Sequence, residues 1–138
     1  IKARAYRKAA QNIDANGHTK VAIDTISFDT EGVVDTTNSR ITPSLPGYYQ
    51  VSAQVFIEDV PDGGFVVVNI RKNGQLATYG TAVNQGASGL LSLTASDLIY
   101  MNGKTDYLEL YAYNSHSSAL ALYVGAPYMN YISIVGPF

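Results

Sequence analysis

Between Tyr49 and Ile57 the chain alternates without a break. Tyr49, Val51, Ala53, Val55 and Ile57 fall on one side, and Tyr48, Gln50, Ser52, Gln54 and Phe56 on the other. A period of two is that of a strand with one face in an apolar core. Immediately upstream, Pro43-Ser44-Leu45-Pro46-Gly47 stops any helix and forces a turning or extended entry. A strand that starts at a rigid corner has a fixed register, because a slip of one residue would exchange its two faces.

The rest of the chain supplies partners for that strand. No helical period is sustained, and eight to ten short segments of strand character are separated by Gly, Pro, Asn and Asp. Val21 and Ile23, then Ile26 and Phe28 out of step, predict one strand broken by a bulge or turn near Asp24–Ser27. Pro61-Asp62-Gly63-Gly64 is a turn, and Phe65–Ile70 an apolar run that predicts a buried strand. Asn73-Gly74 tolerates the positive φ angles of a tight hairpin, which returns the chain along Leu76–Val83. Asn84–Gly89 is a loop, and Leu90–Met101 is either one long bulged strand or two short ones. Asn102-Gly103 predicts another hairpin, followed by the alternating Tyr107–Tyr113. Leu120–Val124 has the character of a short extra strand, and Tyr128–Val135 of the last one. Together these predict an antiparallel sandwich.

The chain has 138 residues, which suits one domain. Hydrophobic residues make up 46% and charged residues 14%, enough for a core but few charges for an exposed surface. Part of that surface is therefore expected to be covered by a partner or a sister subunit. A net charge of -2 argues against nucleic acid or an anionic membrane as the main partner. No apolar run approaches ~20 residues, so membrane insertion is not expected. With no cysteine there is no disulfide, and stability must come from packing or assembly. Ile1 is not a natural start, which predicts a C-terminal piece of a longer chain or a processed product. The eleven tyrosines suit half-wet surfaces and subunit interfaces, or simply strands. Lys2, Arg4, Arg7 and Lys8 are too few for a nucleic-acid arm and predict a solvated edge strand.

Phe28, Gly32, Asp35, Ile41-Thr42 and Pro46-Gly47-x-Tyr49 follow one another with the spacing of the C1q-like domain, a relative of tumour necrosis factor, which this block resembles. Ile41 stands where that family has an aromatic residue, and Val51 and Ala53 replace later aromatics. Asp106-Tyr107-Leu108-Glu109-Leu110 is similar to the family's Gly-Asp-x-Val-x-Leu strand, with Thr105 in place of Gly. Ile70-x-Lys72-Asn73-Gly74 resembles the fourth-strand hairpin of bacterial and phage members. The family's C-terminal aromatic-Ser/Thr-Gly-Phe phrase is missing, with Met129-Asn130-Tyr131-Ile132 near its place. The resemblance implies a ten-stranded all-β jelly roll over residues 1–138, forming a homotrimer through the inner sheet. It turns Tyr48, Gln50, Ser52, Gln54 and Phe56 toward neighbouring subunits, with Tyr100, Tyr128, Tyr131 and Phe138 as further interface candidates.

Catalytic chemistry is not indicated. His18 and His116 lie in polar, turn-like contexts and are expected to be surface loop histidines. No Gly-x-Ser-x-Gly elbow and no phosphate loop is present. Asp24, Asp29, Glu31 and Asp35 cluster on turn-forming stretches. Turn chemistry accounts for them, with a Ca²⁺ site as the alternative and Asp59 with Asp62 a weaker one. No cofactor is assigned. The leading expectation is a non-enzymatic trimeric head of a phage fibre or bacterial surface appendage, binding a host or cell-surface glycan or protein. Tyr79, Tyr123 and Tyr128 are candidates to stack on sugars. The alternatives are a purely structural trimerisation cap, a secreted receptor ligand and a glycan-cleaving enzyme.

Overall fold

The computed structural model describes residues 1–138, and the chain folds into thirteen strands with no helix. The first sheet runs in the order β10 (Ala87–Asn102), β7 (Pro46–Val60), β13 (Tyr131–Val135), β1 (Lys2–Tyr6) and β4 (Thr25–Asp29). The second runs β5 (Val34–Asp35), β6 (Arg40–Ile41), β11 (Leu108–Asn114), β8 (Val66–Lys72) and β9 (Gln75–Val83), with β3 (Gly17–Lys20) also paired to β11. β2 (Asn12–Ile13) and β12 (Leu120–Ala121) form a small separate ribbon. Neighbouring strands are antiparallel throughout. The chain changes sheet at nearly every connection, which makes the sandwich a jelly roll.

β7 is the spine, lying between β10 and β13. Its five inward residues, Tyr49, Val51, Ala53, Val55 and Ile57, are all buried. The strand starts at Pro46, at the predicted corner. Gly47 there has φ 143°. A Cβ on it would stand 2.5 Å from the Pro137 side chain, so only glycine lets the C-terminal segment lie so close. The core joins Ala3, Ala5 and Ile132 of the first sheet to Val68, Ile70 and Leu110 of the second in one cluster of 27 residues.

Several expectations are corrected. β1 is no edge strand: it lies between β13 and β4, and Ala3 and Ala5 are fully buried. The break near Asp24 is a change of sheet, since β3 pairs with β11 whereas β4 pairs with β1. Val21 and Ile23 fill the core between them. Of the two options left for Leu90–Met101, the structure takes the single long one: it belongs to one strand of 16 residues, with a register shift between Ala87 and Leu90. Asn102-Gly103 turns, but crosses from the first sheet to the second and closes no hairpin. The run Phe65–Ile70 starts exposed at Phe65 and ends buried. His116 is no surface residue: it is 5% exposed, with Nδ1 2.9 Å from Asn114 Oδ1 and Nε2 2.8 Å from the Pro61 carbonyl. His18 is exposed but stands on β3, against the Tyr113 ring.

One end of the sandwich is tied by Asp106. Its Oδ1 accepts from Asn73 Nδ2 at 2.8 Å, and its Oδ2 accepts from the Asn102 N–H at 2.9 Å and lies 3.0 Å from Lys72 Nζ. The β8–β9 hairpin is thereby fastened to the β10–β11 crossing. The Asn73 amide, helped by Lys72, holds this carboxyl below its ordinary value despite partial burial. A depressed folded value adds stability that is full above the unfolded carboxylate value of about 3.9 and is lost as pH falls through the folded one. Asp106→Ala is expected to cost about 2 kcal/mol at neutral pH. Urea unfolding at pH 7 and at pH 3 checks it: the gap from wild type should narrow in acid. Equal stability at pH 7 would remove the role.

Candidate functional site

The outward face of the first sheet gathers the predicted interface residues. Tyr48, Gln50, Ser52, Gln54 and Phe56 alternate outward along β7, each half-buried or exposed. Across the ladder, Tyr100 of β10 stands opposite Tyr48, and Tyr131 of β13 opposite Gln54. The Tyr48 and Tyr100 rings meet edge to face at 5.3 Å and 70°. Phe138 lies at that end, its N–H donating to the Tyr48 carbonyl at 2.9 Å. Tyr128 lies in the turn before β13, where Gln54 Nε2 donates to the Tyr128 carbonyl at 2.8 Å and to that of Met129 at 3.1 Å. Of the two other tyrosines picked out as sugar platforms, Tyr79 lies on β9 of the second sheet. Tyr123 is held beside β7, its N–H donating to the Phe56 carbonyl at 2.9 Å.

The face has a definite pattern. Ser96, Ser52 and Ser133 form one row across β10, β7 and β13, a waist of small side chains. Gln50 donates to Ser96 Oγ at 2.8 Å beside it. Above and below the waist stand larger apolar groups, Tyr48 with Tyr100 at one end and Phe56 with Leu90 at the other. From β10 through β13 the formal charges on this face are two neighbours at one end of β7, Glu58 and Asp59. Seven of the thirteen exposed large apolar side chains belong to this sheet, and sequence reasoning missed Ile26, Phe28, Leu90, Leu98 and Val135 among them. The signal was present for Leu98, because Leu93, Ala95, Ile99 and Met101 alternate inward around it. Arg4, opposite Ser133, lays its guanidinium 4.2 Å from the centre of the Tyr131 ring and donates to Ser27 Oγ at 3.0 Å.

The carboxylates weighed for calcium point into turns. Asp24 accepts from the N–H groups of Lys8 and Ala9, Asp29 from those of Val33 and Val34, and Asp35 from those of Thr37 and Asn38. Asp59 and Asp62 likewise cap Gly89 and Gly86. No three acidic or imidazole groups converge on one point.

No protein-family model and no curated protein sequence matches the chain. Solved structures do. Murine APRIL superposes with a TM-score of 0.69 at 12% identity, over 96% of this chain and 95% of that one. Eiger TNF from S. frugiperda gives 0.66 at 13%, over 98% and 90%. The globular domain of zebrafish complement 1qA protein gives 0.66 at 8%, over 99% and 97%. Together with the sheet order, these matches show that the chain has the jelly-roll fold of tumour necrosis factor-like and C1q-like domains.

Proposed function

We propose that this chain is a non-enzymatic, extracellular head domain that assembles as a homotrimer through the outward face of its first sheet. Its setting is the tip of a longer chain, a phage fibre or a bacterial surface appendage, where it recognises a surface ligand. The observation that carries the reading is the part of that face from β10 through β13: poor in charge, narrow-waisted with serine and apolar at both ends. A face of this kind left in water is unusual for a monomer. Covered by sister subunits it is ordinary, because interface cores are poor in charge and rich in aromatics. Both histidines are engaged in packing or hydrogen bonds, which supports a binding role over catalysis.

Light scattering on the eluting protein over a wide dilution series tests the assembly. A mass of three times the 14.8 kDa chain is expected, and a monomer that persists at every concentration would remove the proposal. The likeness to murine APRIL and Eiger TNF favours a second reading, a secreted ligand for a protein receptor. Binding to a printed glycan array separates a glycan-recognising head from that reading and from a structural cap that binds nothing.

A further inference from the structure

The opposite side of the sandwich, away from the sheet proposed for assembly, holds a groove. It lies on the outward face of the second sheet and encloses about 510 Å³. That is within the ~300–1,000 Å³ of small-molecule sites. One wall is a run of three rings: His18 of β3 tilts against Tyr113 of β11 at 4.7 Å, and Phe65 meets the same Tyr113 at 5.3 Å. Tyr79 of β9, 61% exposed, forms the other side. The floor is Val67 and Ala82, which pair across β8 and β9, with Gly80 beside them.

The groove exists because β9 sinks there. The β8–β9 register shifts between Val67 and Asn69. A Cβ on Gly80 would stand 2.3 Å from the Thr94 carbonyl oxygen and 2.7 Å from the Val68 side chain. Only glycine lets the backbone sit that deep. β11 and β9 are two strand spacings apart, about 10 Å. That leaves room for roughly one ring between the Tyr113 and Tyr79 walls.

The electrostatics select the ligand. Neighbouring ions are engaged elsewhere: Arg71 lies over Tyr111 at 4.1 Å, and Lys20 pairs with Glu109 at 2.7 Å. Desolvation by its neighbours, aided by the charge of Arg71, lowers the His18 pKa and so disfavours the charged imidazolium. The groove thus offers aromatic faces and hydroxyl or imidazole edges but no formal charge. One buried polar group beside it has no protein partner. Asn69 stands opposite Tyr79 and shares the outward face of β8 with Val67, yet neither end of its amide is hydrogen-bonded. An orphaned buried amide is rare and costly, but Asn69 is fully buried beneath the groove and does not line it, so the aromatic walls carry the recognition.

Resting on the head-domain reading, we propose that this groove binds a neutral pyranose of a surface glycan, the sugar's apolar face against Tyr79 and Tyr113. It faces away from the trimerisation sheet, so one trimer presents three copies, and weak single sites add through multivalency.

The test uses the whole chain on a printed glycan array, followed by saturation-transfer NMR with methyl α-mannopyranoside, methyl β-glucopyranoside and methyl β-galactopyranoside. Wild type is expected to retain neutral glycans and to show transfer to at least one glycoside. Tyr79→Ala should weaken retention at least about tenfold, the equivalent of ~1.4 kcal/mol, with unchanged mass and melting. Leu76→Ala, an exposed change outside the groove on the same strand, should not. Binding that survives Tyr79→Ala, binding of anionic glycans alone, or binding of no saccharide would overturn the groove assignment. A trimeric mass in the same preparations would then leave the head-domain reading standing, and a monomeric mass would remove that reading instead.

Discussion

An arginine at Ser52 is expected to leave the fold intact and abolish the trimer. Ser52 is the middle of the small-residue row, with Ser96 and Ser133 on either side. On an isolated chain its side chain points to solvent beside other short groups. A surface change there should move stability by less than ~0.5 kcal/mol. In the assembly three guanidinium groups would enter a face with almost no countercharge. Burying an unpaired charge costs about 3–5 kcal/mol, and like charges brought together cost more. The variant should elute at monomer mass with an unchanged circular dichroism spectrum. A trimer of unaltered dissociation constant would show that this row lies outside the contact.

Removing the Tyr49 ring should have the largest effect on folding. Tyr49 is fully buried and is the largest side chain on the inward face of β7, and its hydroxyl donates to the Leu45 carbonyl at 2.9 Å. It therefore fills the core and also pins the Pro43–Gly47 corner that starts the strand. Tyr49→Ala is expected to cost about 3–5 kcal/mol through lost burial and the cavity left behind. Tyr49→Phe, which keeps the ring, should cost about 1 kcal/mol. Urea midpoints of the two variants separate packing from hydrogen bonding. Similar losses in both would mean that the hydroxyl, and not the ring, dominates.

What was legible in the chain follows from which forces are local. β7 and β11 were found because a strand with one face in the core writes a period of two directly into the sequence, at Tyr49–Ile57 and at Leu108, Leu110 and Ala112, although Glu109 between them is buried too, paired with Lys20. The Asn73-Gly74 hairpin was found because its backbone needs positive φ, and both residues have it, 54° and 77°. Asn102-Gly103 carries the same local signal but links different sheets, and pairing partners are decided by packing far along the chain. β1 was misjudged as an edge because Lys2 and Arg4 point outward, while the inward partners are only Ala3 and Ala5, too small to announce a core. His116 was misjudged because serines flank it, and its ring partners come from Asn114 and from Pro61 on another loop. The outward face proposed for trimerisation was picked out on β7, while the exposed apolar residues of β4 and β10 beside it, Tyr100 apart, were not. The aromatic groove was not legible, since it joins β3, β8, β9 and β11, and among its rings only Tyr79 had been singled out for sugar binding.

The account turns on one sheet face being covered by copies of the same chain, and the tyrosines report on it directly. In a lone chain Tyr48 and Tyr100 are 50% and 48% exposed, close to the 61% of Tyr79 on the opposite side. Hydroxyl-radical footprinting of the native protein, read by mass spectrometry, compares the three. Tyr79 should be modified readily while Tyr48 and Tyr100 are protected, and the Ser52→Arg variant should expose both. Equal modification of all three in the wild-type protein would contradict the assembly and with it the role assigned to this face.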